Sequence, residues 1–199
     1  MTTVSNRAFA AAIAWHAILF IVLICLAQGW RPSRRLARRA LSLPLVSVAG
    51  FALVSGNPFN ATVFAGAALA LDALARRPDP RPVSRTTAWR CLAGVALLAY
   101  GWVYPHFLDA PLLLYLIAAP VGLVPCPTLA VAIGLALIGD LLTRGWGIAL
   151  AALGLCYGLF GVARLGVLLD LGLVAGAIAL AAASLAPVPP LTRSGRSSR

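Results

Sequence analysis

The sequence predicts an all-α integral membrane protein with about seven transmembrane helices and a short re-entrant or interfacial element over 105–124. Three observations predict it. Of 199 residues, 61% are hydrophobic and 11% charged, with mean hydropathy +0.94, whereas a soluble domain carries about 25% charged residues. Apolar stretches recur along the whole length, and about 20 apolar residues cross a bilayer as a helix. Those stretches are continuous rather than alternating, which favours helices over barrel strands.

The elements follow in order. A first apolar segment over 8–30 precedes an Arg-rich block, the pattern of an anchor that stays in the membrane rather than a short cleaved signal. Segments over 40–56 and Pro58–Ala75 are separated only by Gly-Asn-Pro, and form a tight helical hairpin. A polar loop containing Arg-Pro-Asp-Pro-Arg-Pro leads to a segment over 88–104, with Arg90 snorkelling at its start. The stretch 105–124 contains Asp109, Pro111 and Pro120, and its continuous apolar run is too short to span. Segments over 127–143, 145–163 and 165–186 complete a single membrane domain, 1–186. The tail, 187–199, rich in Pro, Ser and Arg, is expected to be a disordered cytoplasmic extension.

Charge sets the orientation. All sixteen basic residues are Arg, and ten lie in two blocks: Arg31, Arg34, Arg35, Arg38 and Arg39, then Arg76, Arg77, Arg81, Arg85 and Arg90. Seven spans place 14 Arg inside and 2 outside, and eight spans place 11 inside and 5 outside. The positive-inside rule prefers seven, with the amino terminus outside and the carboxyl terminus cytoplasmic. Anionic lipid headgroups are the expected partners of the blocks; clustering between apolar segments argues against nucleic acid. Gly154-x-x-x-Gly158 and Gly172-x-x-x-Gly176 mark close helix packing, within the chain or in a homo- or hetero-oligomer.

The five acids are all Asp. Asp72 and Asp140 each precede an Arg by four residues, a spacing that pairs them along one helix face, with Arg76 and Arg144. Asp79 sits in the loop. Asp170 has no polar neighbour three or four positions away, so it is either a functional intramembrane acid or an interfacial one paired with Arg164. Tyr104, His106 and Asp109 form a second cluster, which suits a proton relay, half a metal site or a solvated loop. Pro125-Cys126-Pro127-Thr128 suits a rigid helix entrance, with Pro127 in the first turn. Cys126 is there either inert packing or a reactive thiol. Tyr104, His106, Asp109, Cys126 and Asp170 together are the expected lining of one outward-facing polar pocket, with Asp170 about five residues into the last helix. The four cysteines form no C-x-x-C pair, and no phosphate-loop, zinc-protease or serine-hydrolase motif is present. No cofactor or metal is expected.

At Pro-Cys-Pro-Thr the chain resembles an uncharacterised bacterial multi-pass membrane protein family, a domain of unknown function. The resemblance rests on Tyr104-Pro105, then Gly122, Pro125, Cys126, Pro127 and Thr128, then Gly134, and then Asp170, Gly172 and Leu173, with Asn57-Pro58 beside them. It covers the second half of the chain better than the first, and departs from the family in the loop before the motif. It implies a bacterial inner-membrane location and lends no activity. Three function classes remain: a small permease or channel-like protein, a non-catalytic membrane subunit or scaffold, and a membrane enzyme or metal-handling protein using His106, Asp109 and Cys126.

Overall fold

The structure, a computed structural model, describes residues 7–76, 80–84, 86–108, 111–141 and 143–186. The tail at 187–199, Asp79 and Asp109 lie outside the described residues. The described residues form helices and no strands, with one isolated bridge between Ser33 and Pro82.

Helix α1 is Phe9–Ala27. The first Arg block, expected as a loop, is instead helical: α2, Arg34–Ala40, is capped by Ser33, whose Oγ accepts from the Leu36 N–H at 3.2 Å. A Ser cap satisfies one of the orphan N–H groups of a first turn, which lets the basic stretch start a helix. It runs almost directly into α3, Leu43–Val54. The expected hairpin follows, with α4, Pro58–Ala75, packed along α3. Gly56 turns the chain at φ 73°, and Asn57 caps α4 by accepting from the Asn60 N–H at 3.0 Å. Then come α5, Ala88–Val103, and a 3-10 turn, Leu112–Leu114, leading into the single turn α6, Tyr115–Ala118. Helices α7, Pro125–Ile138, α8, Arg144–Leu165, and α9, Leu171–Leu185, complete the bundle.

Among the described residues, five segments are long and apolar enough to cross a membrane: Phe9–Ala27, Arg34–Val54, Pro58–Ala75, Arg144–Leu165 and Leu168–Leu185. The expected seven thus resolve into these five and two shorter apolar helices, α5 of 16 residues and α7 of 14. Helix α7 rises only about 21 Å, short of a hydrocarbon core of about 30 Å. Large apolar side chains such as Leu53, Phe59, Leu69, Leu92 and Ile178 point outward. In water so much exposed apolar surface would aggregate; in a bilayer it is the lipid-facing surface.

Helix α7 is the centre. Every residue from Pro125 to Gly134 is buried, as are Ala136 and Leu137. Helices α3, α5, α8 and α9 surround it. Glycine makes the closest of these approaches possible: a Cβ on Gly94 of α5 would stand 2.7 Å from the Gly134 carbonyl oxygen, and one on Gly134 2.7 Å from that of Gly94. A Cβ on Gly101 would meet the Pro127 carbonyl at 2.7 Å. The glycine repeats of the last two long helices also pack within the chain. Gly154 and Gly158 lie against Ala177 and Val174 of α9, and Gly176 lies against Leu97 of α5.

One end of the bundle is basic. The Arg34 N–H donates to Arg81 and the Val83 N–H to Pro32 at 2.9 Å each, so the two Arg blocks meet. Asp140 pairs with Arg34 at 2.7 Å and Arg90 at 3.6 Å, not with Arg144 as its spacing suggested. The reason is local: Gly139 ends α7, Asp140 turns at φ 46°, and α8 starts afresh at Arg144, so 140 and 144 share no helix face. Asp72 does pair with Arg76, at 3.3 Å, and also with Arg39 at 3.1 Å. Arg90 donates to the Ala183 carbonyl at 3.1 Å, which puts the end of α9 at this basic end. Arg7, beside α1, lies at the other end with Asn57 and Pro125.

Two predictions follow from this packing. Gly134→Ala should lower the thermal unfolding midpoint in detergent, since separating α5 from α7 costs roughly 1–3 kcal/mol. Gly66→Ala, with nothing within 4 Å of its new methyl, should be neutral or stabilising. Asp140→Asn should destabilise more than Asp72→Asn. Asn keeps the preference for positive φ, so only the charge is removed, and the partners of Asp140 are the more enclosed: Arg34 and Arg90 expose 11% and 18% of their side chains, Arg39 and Arg76 39% and 68%. Equal losses of melting temperature would show that Asp140 anchors nothing.

Candidate functional site

Asp170 is fully buried. It does not lie five residues into a helix, as the sequence suggested. Gly166 ends α8 in a left-handed turn at φ 68°, a 3-10 turn covers Leu168–Asp170, and Asp170 is the N-cap of α9. A carboxylate at a helix N-terminus meets the positive end of the helix dipole. That placement offsets part of the cost of burying it.

Side-chain donors complete the shell. The Tyr104 hydroxyl donates to Oδ1 at 2.7 Å, and the Cys126 thiol donates to Oδ2 at 3.2 Å. The Tyr100 hydroxyl donates to the Leu169 carbonyl at 2.7 Å and lies 3.4 Å from Oδ1. Gly161 of α8 closes the remaining side: a Cβ there would collide with Oδ2. Helices α5, α7, α8 and α9 therefore meet around one carboxylate. Arg164, weighed as its partner, is exposed and makes no ion pair with it.

The entrance of α7 is built to be buried. The first turn of a helix leaves four N–H groups without helical partners. Here Val124 N–H bonds to the Pro120 carbonyl at 3.0 Å, and Pro125 and Pro127 have no N–H to satisfy. Only the Cys126 N–H remains. Thr128 accepts from the Gly122 N–H at 2.8 Å and donates to the Val124 carbonyl at 2.7 Å, tying the irregular segment to the helix. Gly122 sits at φ 76° with the Trp15 ring against its α-carbon, where no side chain fits. Residues 118–124 are all buried although they are not part of a long helix.

Of the five expected pocket residues, the structure brings Tyr104, Cys126 and Asp170 into direct contact. His106 is half-buried near them. Its ring packs edge-on against Phe107, at 4.2 Å between centroids, and makes no hydrogen bond to Asp170. Asp109 lies outside the described residues. No group of three His, Cys, Asp or Glu side chains that could hold a metal occurs among the described residues. The other histidine, His16, is a buried tie between helices, with ring nitrogens 3.0 Å from the Ala12 and Trp102 carbonyls. Tyr100 and Gly161 were not singled out from the sequence. Tyr100 had a signal: it precedes Tyr104 by four residues, so both hydroxyls share one face of α5. Gly161 had none, because the chain turns back between it and Asp170.

No family model matches the chain, and neither a curated protein nor a solved structure matches it.

Gly161→Ala should destabilise the protein by roughly 1–3 kcal/mol, because the methyl displaces the carboxylate. In an Asp170→Ala background the same change should cost measurably less, since the colliding oxygen is gone. A double-mutant cycle read by thermal unfolding in detergent checks this, and simple additivity would refute the contact.

Proposed function

We propose that the chain is a small permease or channel-like membrane protein whose polar path is closed, in this conformation, at Asp170. One observation carries the reading. A fully buried carboxylate is held by side chains from two helices, α5 and α7, at the place where two elements are interrupted, the buried irregular backbone before α7 and the break before α9. Non-helical backbone at membrane depth is tolerated when enclosed by protein or lining a water path, and broken helices build transporter sites. In this reading Tyr104, Cys126 and Asp170 form the closed constriction, with His106 at its outer rim.

The same reading makes the protein a multi-pass protein of a bacterial inner membrane, akin to the Pro-Cys-Pro-Thr family. The basic end faces the cytoplasm and the beginning of α1 faces out, following the positive-inside rule. Arg31, Arg35 and Arg144, which pair with no acid among the described residues, are the side chains left for anionic lipid headgroups. A second reading, a non-catalytic scaffold subunit, is favoured by one fact: both oxygens of Asp170 already have donors.

Cysteine accessibility separates the two. With Cys25, Cys91 and Cys156 replaced by Ser, Cys126 is the only thiol. In intact cells a small membrane-impermeant thiosulfonate should modify Cys126 slowly, and Asp170→Asn should raise that rate several-fold by weakening the closed cluster. Modification only after membrane disruption, in both proteins, would leave the scaffold reading in place.

A further inference from the structure

A cavity of about 820 Å³ opens at the end of the bundle opposite the Arg clusters, bounded by the start of α1, the α3–α4 turn and the entrance of α7. We infer that it binds an amphipathic anion, a carboxylate or phosphate carried on an apolar body. The size lies within the ~300–1,000 Å³ range of small-molecule sites. Val48, Phe51, Leu123 and Val124 supply apolar wall, while Arg7, Asn57 and Asn60 supply polar atoms. Among the described residues no carboxylate lines it. Asp170 is not among the lining residues, and its oxygens already accept from Tyr104 and Cys126.

Asn60 is the informative residue. It is 7% exposed, and its Oδ1 accepts the Tyr157 hydroxyl at 2.9 Å. Its amide nitrogen has no partner among the described residues. That nitrogen is not among the fully enclosed unpartnered atoms, so it reaches the cavity and is free to donate to an occupant there. Arg7, at the rim, is exposed and makes no ion pair among the described residues. The N-termini of α4 and α7 both open here, so the fixed partial charges are positive as well. Pro58, Pro125 and Pro127 remove N–H donors from those two turns. Side chains must then supply the hydrogen bonds, and Asn60 and Arg7 are placed to do so. The inference concerns binding and does not rest on the transport reading.

The test is a thermal shift in a neutral maltoside detergent. Octanoate should raise the unfolding midpoint by roughly 3–6 °C at ten times its dissociation constant. Octyltrimethylammonium, with the same tail and the opposite charge, should not. Asn60→Asp keeps the acceptor for Tyr157 but sets a carboxylate against the ligand, and Arg7→Gln changes an exposed residue that the fold does not need. Both variants should abolish the octanoate shift, and Arg7→Gln should retain the ligand-free midpoint within a few degrees. If phosphatidylglycerol in mixed micelles gives a shift that the variants also abolish, the anion is a lipid headgroup. If octanoate alone does so, it is a free acid. An equal response to the two charges, or an undiminished octanoate shift in Arg7→Gln, would overturn the inference.

Discussion

A helix enclosed by other helices has neither water nor headgroups to satisfy its ends, and α7 is such a helix. The rest of the bundle is arranged around that constraint. At its start, prolines delete donors that would otherwise be buried without partners, and Thr128 binds the incoming loop. At its far end, the buried Arg38 donates to the Leu141 carbonyl at 2.5 Å, supplying from a side chain what lipid cannot. Along its length, glycines admit α5 to backbone contact. In lipid, packing of this kind replaces the hydrophobic drive that joins helices in water. The central helix can be short because it is surrounded; the longer helices around it meet the bilayer.

Asp170 extends the same logic to a charge. A carboxylate removed from water needs donors, and this one has the Tyr104 and Cys126 side chains, beside the positive end of the α9 dipole. Those donors come from elements far apart in sequence, so forming the cluster fixes the mutual positions of α5, α7 and α9. Hydroxyl and thiol donors are neutral. They hold the acid without the strong lock that an Arg partner would make.

The Arg-rich stretches combine two roles. Arg34, Arg39, Arg76 and Arg90 pair with Asp72 and Asp140, Arg38 is buried, and only some of the remainder is left for headgroups. Exposed pairs contribute little singly, about 0.2–1 kcal/mol. Here the two acids gather four guanidinium groups from α2, the end of α4 and α5, so they set the arrangement of the basic end more than its stability.

Hydrophobicity and charge patterning by themselves determined the helical class, the α3–α4 hairpin, the basic end and the Asp72–Arg76 pair. Each is a local property, read over a few turns or from composition. The sequence also marked Tyr104, Cys126 and Asp170 as unusual, because each is a polar group, or next to one, in an apolar chain. That they touch, that Tyr100 and Gly161 complete the shell, and that Asp140 turns away from Arg144 were decided by tertiary structure. These depend on where helices stop and how they cross. The stops at Gly139 and Gly166 are backbone conformations that an apolar pattern passes over. The glycine contacts of α5 with α7 pair residues 26 to 40 positions apart, and no local period encodes them. Lengths shifted for the same reason: hydropathy counts apolar residues alike, whether they face lipid or the packed interior that holds α7.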